Sequence, residues 1–178
     1  MKPGINIDDM RQMIMVTLTR LAEGSRRGGM ASEDAVALVL RTGMVESRLH
    51  YTRQRAARKR IGIARGFFQF EPWVARSVIN DYLEYRKTLI ADIEKACVCD
   101  LSMLDDDTPE EMASMDLQLQ GNIPLQIVLC RMKYRPVPRP IPPASDVEGQ
   151  ATYWLNHYNA GGKGTVEKFV KIVEAMEK

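Results

Sequence analysis

The sequence has few of the residues that bind metal ions or form disulfide bridges. Its 178 residues include three cysteines and two histidines. Three cysteines cannot all pair with one another, so a disulfide framework is excluded and a reduced interior is the simplest interpretation. With so few ligands a zinc site is not expected, and we expect neither a metal nor a cofactor. These residues are Cys97, Cys99, Cys130, His50 and His157.

Long apolar runs and biased composition are missing as well. No run approaches the ~18 apolar residues of a membrane helix, so we expect no membrane span. The start, MKPGINIDDM, has no apolar segment of the kind that secretory signals carry, so we expect no signal peptide. With 12 Gly, 9 Pro and 45% hydrophobic residues, the composition is that of a globular protein. We expect a single domain over residues 1–178.

A net charge of only +2 hides an uneven distribution of charge along the chain. Residues 48–65 contain seven Arg and Lys and no acidic residue, whereas residues 92–116 contain nine Asp and Glu and one Lys. The two segments are either solvated faces or, for the first, a basic rim that meets an anionic polymer. The sequence also predicts an acidic insertion over 97–116. Nucleic acid is not an expected partner, because the basic run lacks the interleaved aromatics of single-strand binders.

Helical periodicity dominates the sequence, and alternating strand patterns are scarce. The fold class predicted is mainly α, with little or no β-sheet. The sequence predicts eight helical segments, of which the first is an N-terminal helix within residues 1–30. They cover 8–23, Ser32 to about Ser47, 72–83, 83–96, Thr108 to Gly121, a helix opened by Pro124, 147–158 and 165–177.

Five of the nine prolines lie in residues 136–143, where a helix is therefore excluded. The segment predicts a polyproline II strap on the surface. The alternative is a ligand for an SH3-type domain.

Three short segments carry candidate chemistry. In the first, Glu46 ends an apolar helix and Ser47 follows it. If that helix end lies in a cleft, loss of water raises the pKa of the carboxyl group, which then protonates a leaving-group oxygen. The alternative is a surface glutamate at a helix end.

The second segment, GIARGFFQFEPW at 62–73, mixes glycines, aromatics and an amide. Glycines allow close backbone approach and positive φ, and Gln69 offers both a donor and an acceptor. Sugars bind to such mixtures of apolar rings and planar polar groups. The third segment, YWLNHYNAGG at 153–162, ends a helix in a Gly-rich turn with Tyr158 and Asn159 at its tip. Ordinary packing turns are the alternative for both.

In this order, the three segments resemble the soluble lytic transglycosylase family of the lysozyme-like superfamily. The matching pieces are Glu46-Ser47, then Gly62…Gly66-Phe67-Phe68-Gln69…Pro72, then Tyr158-Asn159-Ala160-Gly161. Asn122-Ile123 before an apolar helix is also similar to the family. The resemblance covers about residues 32–170.

The resemblance implies a lysozyme-like helical domain whose cleft binds the peptidoglycan glycan strand. Glu46 would be the sole general acid/base, and Ser47 would hydrogen-bond near the scissile sugar. Gln69 and the backbone around Phe68 would hold N-acetyl groups. Tyr158 would hydrogen-bond Glu46, and Asn159 would shape the cleft. The implied product is a 1,6-anhydro sugar, formed without a second carboxylate.

The sequence departs from the family at two places in the second segment. Phe67-Phe68 stands where the family has Leu-Met. Glu71 stands where an apolar residue is commoner, and it is either a second carboxylate for lysozyme-type hydrolysis or an acid favoured by a helix start.

With no export signal expected, the resemblance favours a phage-encoded enzyme made in the bacterial cytoplasm. Such an enzyme rides in the virion or tail and acts on the host cell wall, and other virion proteins are then partners. An endolysin is a second possibility. The competing interpretation is a non-catalytic virion protein of lysozyme-like fold that binds glycan or protein.

Overall fold

The computed structural model describes residues 4–23, 28–55, 61–104 and 108–178. Over these residues the chain is mainly helical, with one two-stranded sheet, so the predicted fold class is confirmed. No helix in the described ranges is long and apolar enough to cross a membrane. Arg58, Lys59, Arg60 and three aspartates of the predicted acidic insertion (105–107) lie outside the described residues.

The first two helices begin and end close to where the sequence predicts. Helix α1 spans Ile7–Glu23 and helix α2 spans Glu33–Ser47. The Ser32 hydroxyl caps α2 by accepting a hydrogen bond from the Ala35 amide at 3.3 Å.

A short antiparallel hairpin follows, with β1 at Arg53–Arg55 and β2 at Ile61–Arg65. The sequence did not predict these strands. They are too short for the alternating pattern that reveals longer strands. The hairpin is continued by a two-way backbone pairing of Arg65 with Phe70, which folds the intervening turn back on β2.

The predicted helical stretch 72–96 is interrupted. Helix α3 spans Pro72–Ser77 and passes directly into a π-helical turn, Val78–Leu83. The chain then breaks helical geometry, and α4 spans Lys87–Cys97. The break is stabilised by the Arg86 amide, which donates to the Leu83 carbonyl at 2.7 Å. The prediction of a helix running on from Leu83 was therefore wrong by about one turn.

The remaining helices lie where the sequence places them. Helix α5 spans Pro109–Gly121 with Thr108 as its cap, α6 spans Ile123–Tyr134, α7 spans Val147–His157 and α8 spans Val166–Met176. A short 3₁₀ turn, Leu101–Leu104, lies between α4 and α5.

Helices α2 and α6 form the centre of the molecule. Eleven of the 15 residues of α2 and nine of the 12 residues of α6 are buried. Helix α1 packs against both of them, and α8 packs against α2 and α7. Because α2 is buried along most of its length, its C-terminal end brings Glu46 to the inner wall of a cleft.

The proline-rich segment 136–143 forms neither helix nor strand. Buried side chains fasten it and the residue after it to the helices. The Gln150 amide donates to the Pro142 carbonyl at 3.0 Å, and the Arg41 guanidinium donates to the Ala144 carbonyl at 2.8 Å. These contacts fit a surface strap, as the sequence predicts.

Candidate active site

Two adjoining cavities form a cleft at the C-terminal end of α2. They share Glu46, Gln54 and Gln69 in their walls. We call the first, of about 430 Å³, the aromatic lobe; its further lining residues are Ala64, Phe70, Glu71, Trp73, Val74, Lys133, Tyr158, Asn159, Ala160, Gly161 and Gly162. We call the second, of about 350 Å³, the basic lobe; its further lining residues are Val45, Ser47, Arg48, Tyr51, Arg55, Lys168 and Ile172.

The end of α2 is shaped by a left-handed residue. Arg48 has φ 60°, and its amide donates to the Met44 carbonyl at 3.0 Å, which closes the helix. The Ser47 hydroxyl donates to the Gly43 carbonyl at 3.3 Å and accepts from the Leu49 amide at 3.1 Å. Ser47 is buried, and its hydroxyl hydrogen is directed to the helix. Its hydrogen bonds are those of a helix-end contact, and the sugar contact that the resemblance implies stays a prediction.

Glu46 is partly buried where the two lobes meet, and its environment favours the protonated form. Burial raises the pKa of its carboxyl group from 4.5 to about 7. This rise is opposed, in order, by a hydrogen bond from Trp154, by the charges of Lys133 and Lys168, and by a hydrogen bond from Asn159. The Trp154 indole donates to the Glu46 Oε1 at 3.1 Å. A carboxyl group with this pKa is suited to act as both acid and base near neutral pH.

Tyr158 lies in the cleft wall but does not hydrogen-bond Glu46, so this prediction was wrong. Its hydroxyl donates to the Phe68 carbonyl at 2.7 Å. Tyr158 thereby joins the Gly-rich turn after α7 to the turn after β2. Its ring packs edge-on against Phe70, and the Lys133 ammonium lies 4.2 Å from the ring centre. Tyr158 thus holds two walls of the cleft together.

Asn159 is held in one orientation by the turn that follows it. Its Oδ1 accepts a hydrogen bond from the Gly164 amide at 3.0 Å, and its NH₂ group is near enough to the Glu46 carboxyl group to lower the pKa of that group. Gly164 is required here, because a Cβ at this position would lie 2.2 Å from the Trp154 ring. The Gly-rich turn therefore packs against the Trp154 ring and orients Asn159 beside Glu46.

Gln69 is held in the other wall by a tight turn. Its backbone has φ 50°, and its Nε2 donates to the Gly66 carbonyl at 2.7 Å. Gly66 itself has φ 73°, and a Cβ there would lie 2.5 Å from the Leu119 carbonyl oxygen. With Nε2 fixed in this way, the Gln69 Oε1 accepts no hydrogen bond from the described residues and is available to a ligand. The Phe68 ring is fully buried, and Phe68 lines neither lobe.

The basic segment after α2 divides into two groups. Arg48 and Arg55 line the basic lobe. Arg53 and Arg65 instead point to α5, where Arg53 donates to the Gln120 Oε1 and Arg65 pairs with Asp116, both at 2.5 Å. Among the described residues of this segment, Arg48 and Arg55 are thus the cations that border the cleft, whereas the charge of Arg65 is neutralised by Asp116 of the acidic segment.

Three residues of the cleft were not singled out from the sequence. Trp154 lies within the third segment, about one helical turn before Tyr158, so its place in that segment was a usable signal. Lys133 lies at the end of α6, far from the three segments, and nothing in the sequence indicated it. Trp73 is 60% exposed and lines the aromatic lobe, and its indole donates to the Glu71 Oε2 at 2.5 Å.

The described residues contain no group of three or more His, Cys, Asp or Glu side chains that could hold a metal ion. The cleft is lined by two acidic residues, Glu46 and Glu71, together with amides, cations and aromatic rings. Comparison of the chain with models of protein families, with curated proteins and with solved structures gives no match.

Proposed function

We propose that the protein cleaves peptidoglycan glycan strands between N-acetylmuramic acid and N-acetylglucosamine, as a lytic transglycosylase of lysozyme-like fold. The observation that carries the proposal is Glu46, whose pKa is raised to about 7 at the junction of two lobes. A polymer that occupies both lobes passes directly over this carboxyl group. Cleavage within a strand requires an acid in that position.

Glu46 acts twice in the proposed reaction. Protonated Glu46 first donates its proton to the glycosidic oxygen as the bond from that oxygen to C1 breaks. The resulting carboxylate then accepts the proton of the muramic acid 6-hydroxyl, whose oxygen forms the new bond to C1. The hydrogen bonds from Trp154 and Asn159 favour the carboxylate between the two steps, as do the charges of Lys133 and Lys168.

The aromatic lobe supports binding of a sugar. The exposed Trp73 ring offers an apolar face on which a pyranose ring stacks. The free Gln69 Oε1 accepts a hydrogen bond from an N-acetyl NH group or a hydroxyl group. Both groups line the same lobe as Glu46.

Glu71 is the feature that favours a second candidate reaction, ordinary hydrolysis by two carboxylates. It lines the aromatic lobe together with Glu46. Its hydrogen bond from the Trp73 indole gives it a structural role in holding that ring, and we therefore assign the proton transfers to Glu46 alone.

The test is incubation of purified peptidoglycan with the wild-type protein, with Glu46→Gln and with Glu174→Gln, followed by mass analysis of the soluble fragments. Glu174 is exposed on α8 and serves as the matched control. We expect anhydro-muropeptides from the wild type and from Glu174→Gln, and a loss of about 10²- to 10⁴-fold in Glu46→Gln.

If the fragments end in a reducing muramic acid, the reaction is hydrolysis and the transglycosylase assignment is wrong. Absence of release by the wild type between pH 4 and pH 8, with binding retained, would favour a non-catalytic glycan-binding protein. A place in a phage particle, with other virion proteins as partners, is part of the proposal and is checked by mass spectrometry of purified particles.

A further inference from the structure

We propose that the basic lobe binds carboxylates of the substituent on muramic acid, so that the protein prefers strands bearing stem peptides to uncharged glycan. This inference rests on the proposed function, because it assigns part of the same cleft to part of the same substrate. It concerns recognition, whereas the proposed function concerns cleavage.

The cations of the basic lobe are available to a ligand. Arg48, Arg55 and Lys168 all line it, and Glu46 is the only acidic residue among its lining residues. Within the described ranges no carboxylate forms an ion pair with any of the three. By contrast, Arg65 of the same basic segment is neutralised by Asp116. The chain therefore pairs the cation that lies away from the cleft and leaves those in the basic lobe for another anion.

The backbone that carries Arg48 is strained and firmly held. Arg48 and Leu49 have φ 60° and 50°, a conformation that residues other than glycine rarely adopt. Leu49 is fully buried, and its carbonyl accepts hydrogen bonds from the Gly4 and Ile5 amides at 3.0 and 3.1 Å. Such strain persists only where the surroundings fix it, and it is commonest at ligand sites. The strained turn sets the direction in which Arg48 enters the basic lobe.

Arg55 is oriented by an aromatic ring. Its guanidinium carbon lies 4.8 Å from the centre of the Tyr51 ring. Stacking occupies the face of the guanidinium group and leaves its N–H edge for a planar acceptor. A carboxylate matches that edge with two parallel hydrogen bonds.

The two lobes differ in charge, and the difference sets the direction of the strand. The aromatic lobe contains Glu71 and Lys133 in addition to Glu46, whereas the basic lobe adds three cations to Glu46. An anionic substituent is therefore favoured in the basic lobe. N-acetylglucosamine, which carries no charge, is then left for the aromatic lobe and Trp73.

The experiment measures binding without turnover, in the Glu46→Gln background. Three glycans of equal length are compared: one with stem peptides, one stripped by an amidase so that only the lactyl carboxylate remains, and a chitin oligosaccharide with no carboxylate. Arg55→Gln and Lys168→Gln are added in turn, and Lys171→Gln on the same helix is the matched control. All three residues are exposed, so these variants retain the fold.

We expect the affinity to fall from the peptide-bearing strand to the stripped strand to chitin. Loss of either cation of the basic lobe should weaken binding of the peptide-bearing strand by about threefold to tenfold and leave chitin binding unchanged. Lys171→Gln should change neither. Added salt should reduce the preference, because screening weakens exposed charge pairs.

Equal affinity for the three glycans would overturn the inference, as would an equal loss of affinity for all of them in Lys168→Gln. Cleavage by the wild-type protein is assayed in parallel on the same peptide-bearing strand. Cleavage without charge preference would refute the inference and leave the proposed function standing. A preference for charged strands without cleavage would refute the proposed enzymatic activity and leave the assignment of the basic lobe as a carboxylate-binding site standing.

Discussion

Arg41 and Glu46 are five residues apart on α2, and the chain treats these two polar side chains in opposite ways. Arg41 donates to the Ala144 carbonyl, to the Gln150 amide oxygen and, through two nitrogens, to the Glu177 carboxylate, at 2.8 to 3.2 Å. Its charge is matched by Glu177, and four of its five N–H donors form hydrogen bonds. Glu46 has no ion pair in the described residues, faces a cleft, and is kept near its neutral form by burial.

This difference in hydrogen bonding and charge pairing distinguishes a structural network around Arg41 from a candidate active site around Glu46. The Arg41 network ties α2 to the strap, to α7 and to the C-terminal end, and every contact in it serves stability. Glu46 contributes nothing comparable to stability, because its ionised form is disfavoured by the fold. Functional groups commonly carry such a cost in stability. Substitutions at Arg41 and Glu46 should therefore change the stability of the protein in opposite directions, and only the change at Glu46 should depend strongly on pH.

The largest effect on stability is expected for Arg41→Met. The change leaves Glu177 and the Gln150 oxygen without their cation, and breaking a network of this kind costs about 3 kcal/mol. Urea unfolding at pH 7 measures the loss, with Arg20→Met on the exposed side of α1 as the control. Cleavage by the folded fraction should be unchanged. A loss below about 0.5 kcal/mol, the range of ordinary surface changes, would contradict the structural role.

Glu46→Gln should increase the free energy of unfolding, and the increase should depend on pH. In the unfolded chain Glu46 loses its proton near pH 4.5, but in the fold only near pH 7. Wild-type stability therefore falls between these values, by up to about 3 kcal/mol. Glutamine does not titrate, so the variant should match the wild type at pH 4 and exceed it at pH 8. Urea unfolding at both pH values checks this, and a constant difference would count against the raised pKa.

Trp154→Phe should change the pH profile of cleavage more than the fold. The indole hydrogen bond favours the carboxylate form of Glu46, so its removal raises the pKa further. The alkaline limb of kcat/KM should move upward by less than about one pH unit. Trp73→Phe removes an indole that contacts Glu71 instead, and its alkaline limb should stay in place. A purely structural role for Trp154 would lower the rate without moving the limb.

The smallest effect is expected for Glu71→Gln. Since Glu71 holds the Trp73 ring and transfers no proton in the proposed reaction, kcat should fall by less than about threefold, far below the 10²-fold or more lost with a true acid or base. The change in KM reports the loosened ring. A loss of kcat as large as that of Glu46→Gln would assign Glu71 a direct part in the chemistry.

Local signals in the sequence were enough to place most helices. Ser32 and Thr108 are hydroxyl caps followed by acidic residues, and both cap the helices that they predict. The helical spacing of apolar residues in α2 was less informative, because a central helix is buried nearly all round. The sequence therefore predicted the helix but not the way its end is turned into the cleft.

Contacts between distant residues were beyond reach of the sequence. The pairing of Arg65 with Asp116 joins two segments whose charges could only be counted separately. The partner of Tyr158 was predicted as Glu46, yet the hydroxyl reaches Phe68, and Trp154 takes its place. Trp154 and Tyr158 are four residues apart and lie on the same face at the end of α7, so a difference of about one helical turn along the helix axis decides which of them meets the acid.

The central claim is that Glu46 keeps its proton up to about pH 7, while the chain remains folded. The direct measurement is an NMR titration of the glutamate side-chain carboxyl carbons, with Glu46→Gln used to assign the resonance. We expect one glutamate resonance to titrate with a midpoint near pH 7 and to be missing from the variant spectrum. A midpoint for Glu46 below about pH 5, the ordinary range of glutamate, would contradict the account.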